Sequence, residues 1–163
     1  MWLLLSVPCL ALLLVIAVAM VTAQQLYGHT EQMYKNTAKP MRAMAEVASR
    51  IPRMRVGLDL ILLQETPLKD DKGVITRIKE AREEDIPAMR KAMQLAVDAQ
   101  VDEGARQQAQ TLLQQFDTME KSSLQPMLVA FEANNFDEAR RLYAGPYTDS
   151  YRAMREGTNK LLD

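Results

Sequence analysis

The first thirty residues of this chain carry no aspartate, glutamate, lysine or arginine, whereas from Glu31 onward nearly every window is charged and amphipathic. The two parts therefore call for different surroundings. The apolar run Trp2–Ala23 reaches the ~20 helical residues needed to cross a hydrocarbon core of roughly 30 Å. Trp2 and Tyr27 stand about 37 Å apart on a helix rising ~1.5 Å per residue, so their rings suit the two water interfaces of a spanning helix.

A cleaved secretory signal is the competing reading, because Val21-Thr22-Ala23 offers the small residues that a signal peptidase accepts. Such signals open with a basic stretch and hold about 7–15 apolar residues. This run is longer and has no basic residue before it, which favours an uncleaved anchor. The nearest lysine, Lys35, lies beyond the run, so the basic flank that normally fixes orientation would have to come from a start upstream of Met1. Cys9, the single cysteine, falls inside the run and leaves the remainder with neither a disulfide nor a thiolate ligand.

About 135 residues follow, enough for one domain. Twenty basic residues balance 21 acidic ones with no run of like charge, which excludes a nucleic-acid footprint. No alternating pattern occurs, while apolar residues recur at steps of three and four, so the class is all-α. The first helix is predicted along the seam Tyr27, Thr30, Tyr34, Ala38, Met41, Met44, Ala48, Ile51, Arg55, Leu58 and Leu62, continuous with the membrane segment and ending near Glu65. Thr66-Pro67 and Asp70-Asp71-Lys72-Gly73 supply the turn. A second helix, about Val74 to Val101, carries Ile75, Ile78, Ile86, Met89, Met93 and Ala96, with a kink expected at Pro87. The third, about Ala105 to Ala133, carries Ala109, Leu112, Phe116, Met119, Met127 and Ala130 and should bend at Pro126. After Asn134-Asn135 the fourth begins at Phe136 with the stripe Phe136, Ala139, Tyr143, Tyr147, Tyr151, Met154 and Leu161.

Four amphipathic helices with short loops predict an antiparallel up-down-up-down four-helix bundle. The expected division is residues 1–26 as transmembrane helix or uncleaved signal anchor and 27–163 as the bundle. Such a topology returns the fourth helix toward the membrane, where a second span is expected beyond Asp163 if the chain is part of a larger receptor.

The residues speak against catalysis: the one histidine, His29, sits at the membrane edge, and neither a nucleophile–base set nor a glycine-rich phosphate loop can be assembled. Haem attachment and paired E-x-x-H di-iron motifs are absent, and methionines at helical spacing read as core filler. No cofactor or metal is expected. The anomaly is the cluster Arg50, Arg53 and Arg55, because Arg55 occupies a position of an otherwise apolar seam. Two readings compete: a structural one, in which Arg55 pairs with Asp59 one turn on or lies at a dimer seam with its stem packed and its head in water, and an inter-helix cleft in which Arg50 and Arg55 await a carboxylate that a guanidinium grips bidentately. Pro52 and Gly57 could distort the helix there and make room.

The arginines three quarters along the first helix, together with Asn134-Asn135-Phe136-Asp137-Glu138-Ala139-Arg140-Arg141-Leu142-Tyr143-Ala144-Gly145-Pro146-Tyr147-Thr148 opening the fourth, resemble the periplasmic ligand-binding domain of bacterial methyl-accepting chemotaxis receptors. The resemblance spans the chain. It implies a homodimer in the inner membrane, its domain in the periplasm, binding a small molecule between the first helix of one subunit and the fourth of its partner. In the aspartate and serine receptors three first-helix arginines hold the ligand carboxylate. Arg50 and Arg55 keep the spacing of the first two, Gly57 also matches, and Asp59 stands where the third would be. That departure argues against a strict amino-acid receptor. Tyr143, Pro146, Tyr147 and Thr148 occupy the matching stretch of the fourth helix, where tyrosines suit an organic acid or a ring.

The candidate ligand-binding residues are thus Arg50, Arg53, Arg55, Asp59, Tyr143, Tyr147 and Thr148, and the ligand an organic, amino or aromatic acid. A signalling kinase complex would be reached only through a cytoplasmic part beyond this sequence. The same sensor fold resembles those of histidine kinases and cyclic-dinucleotide enzymes. A periplasmic helical adaptor or chaperone without a small ligand is the reading from another class.

Overall fold

A computed structural model describes the backbone of residues 2–162 and the side chains of residues 15–162 other than His29. Trp2, Cys9 and His29, and most of the expected span Trp2–Ala23, therefore lie outside the described side chains. Among the described residues no helix is long and apolar enough to cross a membrane. The chain divides into two compact units, Met1–Ala38 and Lys39–Asp163.

The first unit is helix α1 (Trp2–Met33) followed by a π turn, Tyr34–Ala38. Every described side chain in it is exposed, large apolar ones included: Val15, Val18, Met20 and Leu26 are all more than half exposed. Two of its threonine hydroxyls bond within the helix, Thr22 Oγ1 donating to the Val18 carbonyl and Thr30 Oγ1 to that of Leu26, both at 2.8 Å. No non-helical residue interrupts the chain between Trp2 and Leu63, as the unbroken apolar pattern led us to expect.

The second unit is an all-α four-helix bundle. Its rods are α2 (Lys39–Leu63), α3 with α4 (Gly73–Glu80, Ile86–Ala99), α5 with α6 (Glu103–Met119, Gln125–Glu132) and α7 with α8 (Phe136–Leu142, Thr148–Leu162). Helices α2, α4, α5 and α8 close a ring, α2 packing on α4 and α8, and α5 on the same two. The non-helical breaks fall at 64–72, 100–102 and 133–135, within a few residues of those read from the turn chemistry. Asp102 and Asn135 cap their helices by accepting from the amides of Ala105 (2.8 Å) and Glu138 (3.2 Å). Asn134 takes the left-handed conformation at φ 54°, and the amides of Asn134 and Asn135 bond back to the carbonyls of Phe131 and Ala130, which closes α6.

Four expectations need correction. The α2 seam in the core is Met44, Val47, Ile51, Met54, Leu58 and Ile61. Tyr27, Tyr34 and Met41 are more than half exposed. The helix is turned so that the apolar set Val47, Met54 and Ile61 enters the core, while their neighbours Ala48, Arg55 and Leu62 are only partly buried. Consequently Arg55 stands at the edge of the seam rather than within it. Ile75, expected on the second stripe, is exposed, because Val74 and Ile78 take the inward side of α3.

The proline sites also differ from simple kinks. π turns at Ala81–Asp85 and Glu120–Leu124 end just before Ile86-Pro87 and Gln125-Pro126. The residue ahead of each proline donates five residues back, Ile86 to Ala81 and Gln125 to Glu120. The widened turn accommodates a ring that would otherwise collide with the carbonyl four residues earlier. A further π turn, Tyr143–Tyr147, contains Pro146, whereas Pro52 sits inside an uninterrupted α2.

Candidate functional site

The π turn Tyr143–Tyr147 lets rod four face α2 with a stack of three tyrosines. Tyr143 and Tyr147 lie parallel, centroids 5.4 Å apart at 23°, and Tyr147 and Tyr151 follow at 6.3 Å and 34°. Arg55 of α2 reaches into this stack. Its guanidinium carbon lies 4.6 Å from the Tyr151 centroid and 5.4 Å from that of Tyr143, a cation–π arrangement on two rings. Arg55 Nε donates to the Tyr143 hydroxyl at 3.1 Å, and that hydroxyl donates in turn to Asp59 Oδ1. The pairing expected between Arg55 and Asp59 thus runs through a tyrosine hydroxyl.

Three further features define the chemistry. Among the described residues Arg55 makes no other hydrogen bond, so Nη1 and Nη2 remain as an open fork. Thr148 Oγ1 donates to the Tyr143 carbonyl at 2.7 Å, securing the wide turn. The Tyr147 side chain is fully buried and its hydroxyl has no partner among the described residues. Burial, reinforced by the Asp59 carboxylate, pushes Tyr143 up to about 12. Burial likewise raises Tyr147, with the Tyr143 hydroxyl adding to it. For Arg55 burial opposes the charge, but Tyr143 and Asp59 offset it and hold the guanidinium above its ordinary value.

Of the seven candidate residues the fold brings together five: Arg55, Asp59, Tyr143, Tyr147 and Thr148. Arg50 lies 2.7 Å from Glu46 one turn back, and Arg53 points toward Asp85 at 3.8 Å on the side of rod two. Tyr151 belongs to the site although we read it only as core stripe. Its signal was present in the i, i+4, i+8 spacing of Tyr143, Tyr147 and Tyr151, which aligns three rings on one helix face. Beside it a cleft of about 310 Å³ opens between α2 and α8, lined by Ala48, Ile51, Pro52, Tyr151, Arg155 and Thr158 among others.

Compared with known proteins, residues 1–163 match the family described as "Four helix bundle sensory module for signal transduction". The chain belongs to this family. The sensory module is also 49% identical, over 158 residues, to "Methyl-accepting chemotaxis protein HlyB" of Vibrio cholerae serotype O1 (strain ATCC 39315 / El Tor Inaba N16961). That alignment covers 97% of this chain and 29% of the relative, so the module spans less than a third of the receptor it resembles. No solved structure matches the chain.

Proposed function

We propose that this module is the extracytoplasmic sensor of a transmembrane chemoreceptor, a binding domain with no chemistry of its own. It takes a carboxylate-bearing small molecule at the junction of Arg55 with the tyrosine stack. The carrying observation is the guanidinium fixed by two aromatic faces and one hydrogen bond while its terminal fork stays open. A preorganised fork binds a carboxylate bidentately with little ordering cost. The aromatic walls favour a ligand with apolar or ring character over a small amino acid.

Membrane anchoring by residues 1–26 is supported by the uncovered apolar side chains of residues 15–26 and by the Thr22 hydroxyl bonded within the helix, both suited to a lipid environment. An up-down-up-down course suits the short breaks between rods. A two-fold dimer through α2 is supported by its exposed stripe Met41, Ala45, Pro52 and Val56, next to Arg55 and Asp59. Ligand would act by population shift, favouring one arrangement of rod four over another, and a differential affinity of about 1–3 kcal/mol suffices for such a bias.

A thermal-shift screen of the chain against organic, amino and aromatic acids tests the reading. A ligand at about 100 times its Kd adds roughly 2.7 kcal/mol of stability. If no acid stabilises the chain, the site has been misread.

A further inference from the structure

A second cleft, of about 300 Å³, lies between α2 and the rod formed by α3 and the π turn Ala81–Asp85. It shares no lining residue with the cleft beside Tyr151. Arg53 points into it from a position two residues before Arg55, roughly 200° away around a helix of ~3.6 residues per turn. Of its six charged lining residues, three are basic and three acidic: Arg53, Lys72, Arg77, Glu80, Glu84 and Asp85.

The pairing within the cleft is incomplete on both sides. Lys72 holds Glu80 at 2.5 Å, and Arg77 is tied to Asp70 with a longer contact to Glu80 at 3.7 Å. Arg77 is nevertheless nearly buried, and its Nε has no acceptor among the described residues. Asp85 is the deepest acid on the other side, and its ion-pair partner, at 3.8 Å, is the largely exposed Arg53. Burial, opposed by Arg53 and reinforced by Glu84 and Glu80, holds the Asp85 carboxyl above its ordinary range. Gly57 faces it, where an added Cβ would stand 3.4 Å from Asp85 Oδ2, so a larger residue would narrow the cleft at its acid. The acids form no group able to hold a metal ion among the described residues, which directs attention to an organic cation.

We propose that this cleft is a second binding site, within one subunit, for a small zwitterion: its ammonium on Asp85 and Glu84, its carboxylate on Arg53. The site is independent of the Arg55 junction. α-Amino acids and N-methylated betaines carry this chemistry alike, and only the former donate N–H bonds to Asp85.

The test uses the 163-residue chain, isotope-labelled, titrated with the standard amino acids and with glycine betaine while the amide resonances of Gly57, Asp85 and Tyr143 are followed. We expect at least one zwitterion to shift Gly57 and Asp85 saturably and to leave Tyr143 in place. Its affinity should fall at least tenfold in Asp85→Asn and in Arg53→Ala, the latter a surface change that leaves the fold intact. An amino acid alone binding identifies an N–H-donating ligand, and betaine binding equally well identifies recognition by charge. Either supports the site. The proposal is overturned if no zwitterion moves Gly57, if binding survives both substitutions, or if the shifts fall at Tyr143.

Discussion

Replacing Tyr143 with phenylalanine tests whether the hydroxyl that joins Arg55 to Asp59 is the tie between α2 and rod four. The ring, its stack on Tyr147 and its cation–π contact are retained, so the loss is confined to one oxygen accepting from Nε at 3.1 Å and donating to a carboxylate. Hydrogen bonds to charged groups contribute ~1.5–3 kcal/mol each, and direct approach of Arg55 to Asp59 in the variant recovers part of that. A cost of about 1–2 kcal/mol at pH 8 follows, read as a lower urea midpoint at unchanged slope. The pH dependence adds a second signature. Tyr143 is raised from 10.0 to about 12 in the folded chain, so the folded state keeps its proton where the unfolded state loses it. Its contribution is complete below pH 10 and lost as pH climbs toward 12. At ~1.36 kcal/mol per pH unit the ceiling is about 2.7 kcal/mol, and partial exposure reduces it to roughly 1. The gap between wild type and Tyr143→Phe should therefore shrink by about 1 kcal/mol between pH 8 and 12. A variant as stable as wild type at pH 8, or a gap that does not change with pH, would refute the bridging role.

Other expectations follow from packing. Ile61→Ala should cost about 2–5 kcal/mol and Met41→Ala within about 0.5, since the first is fully buried and the second is half exposed; equal costs would mean that the α2 seam is misassigned. Gly157→Ala sets a Cβ 2.6 Å from Leu112 Cδ2, while Gly145→Ala meets nothing within 4 Å, so thermal unfolding should find the latter more stable by at least about 1 kcal/mol. Sedimentation of the chain should show a two-fold dimer strengthened by ligand, and a monomer at high concentration in both conditions would remove the proposed α2 interface.

The rods and their breaks were legible because each break carries its own chemistry: Thr66-Pro67, Asp102 before Glu103-Gly104, and the Asn134-Asn135 pair. The rotation of α2 was not. Ala48, Arg55 and Leu62 and their neighbours Val47, Met54 and Ile61 give two heptad seams one residue apart, and the choice between them rests on which set fills the space left by the other three rods. The same ambiguity made Arg55 look like a charge within the core. Prolines marked where helices would yield, but not that the backbone would widen into π turns; the last of these turns, Tyr143–Tyr147, carries Tyr143 to Arg55. Arg50, Arg53 and Arg55 read as one cluster along the chain, yet the two-residue step from Arg53 to Arg55 crosses to the other side of the helix, leaving Arg50 and Arg53 on the side of Asp85.

The central claim is that Arg55 supplies the anion contact. Isothermal titration of the organic or aromatic acid without an ammonium group that most stabilises the chain, run on wild type, Arg55→Ala, Arg50→Ala and Arg53→Ala, tests it directly. A lost bidentate charge-assisted contact costs about 1.5–3 kcal/mol, so Arg55→Ala should weaken binding by about ten- to more than a hundredfold, with Arg50→Ala and Arg53→Ala close to wild type. Wild-type affinity in Arg55→Ala would contradict the account and move the site elsewhere on the bundle.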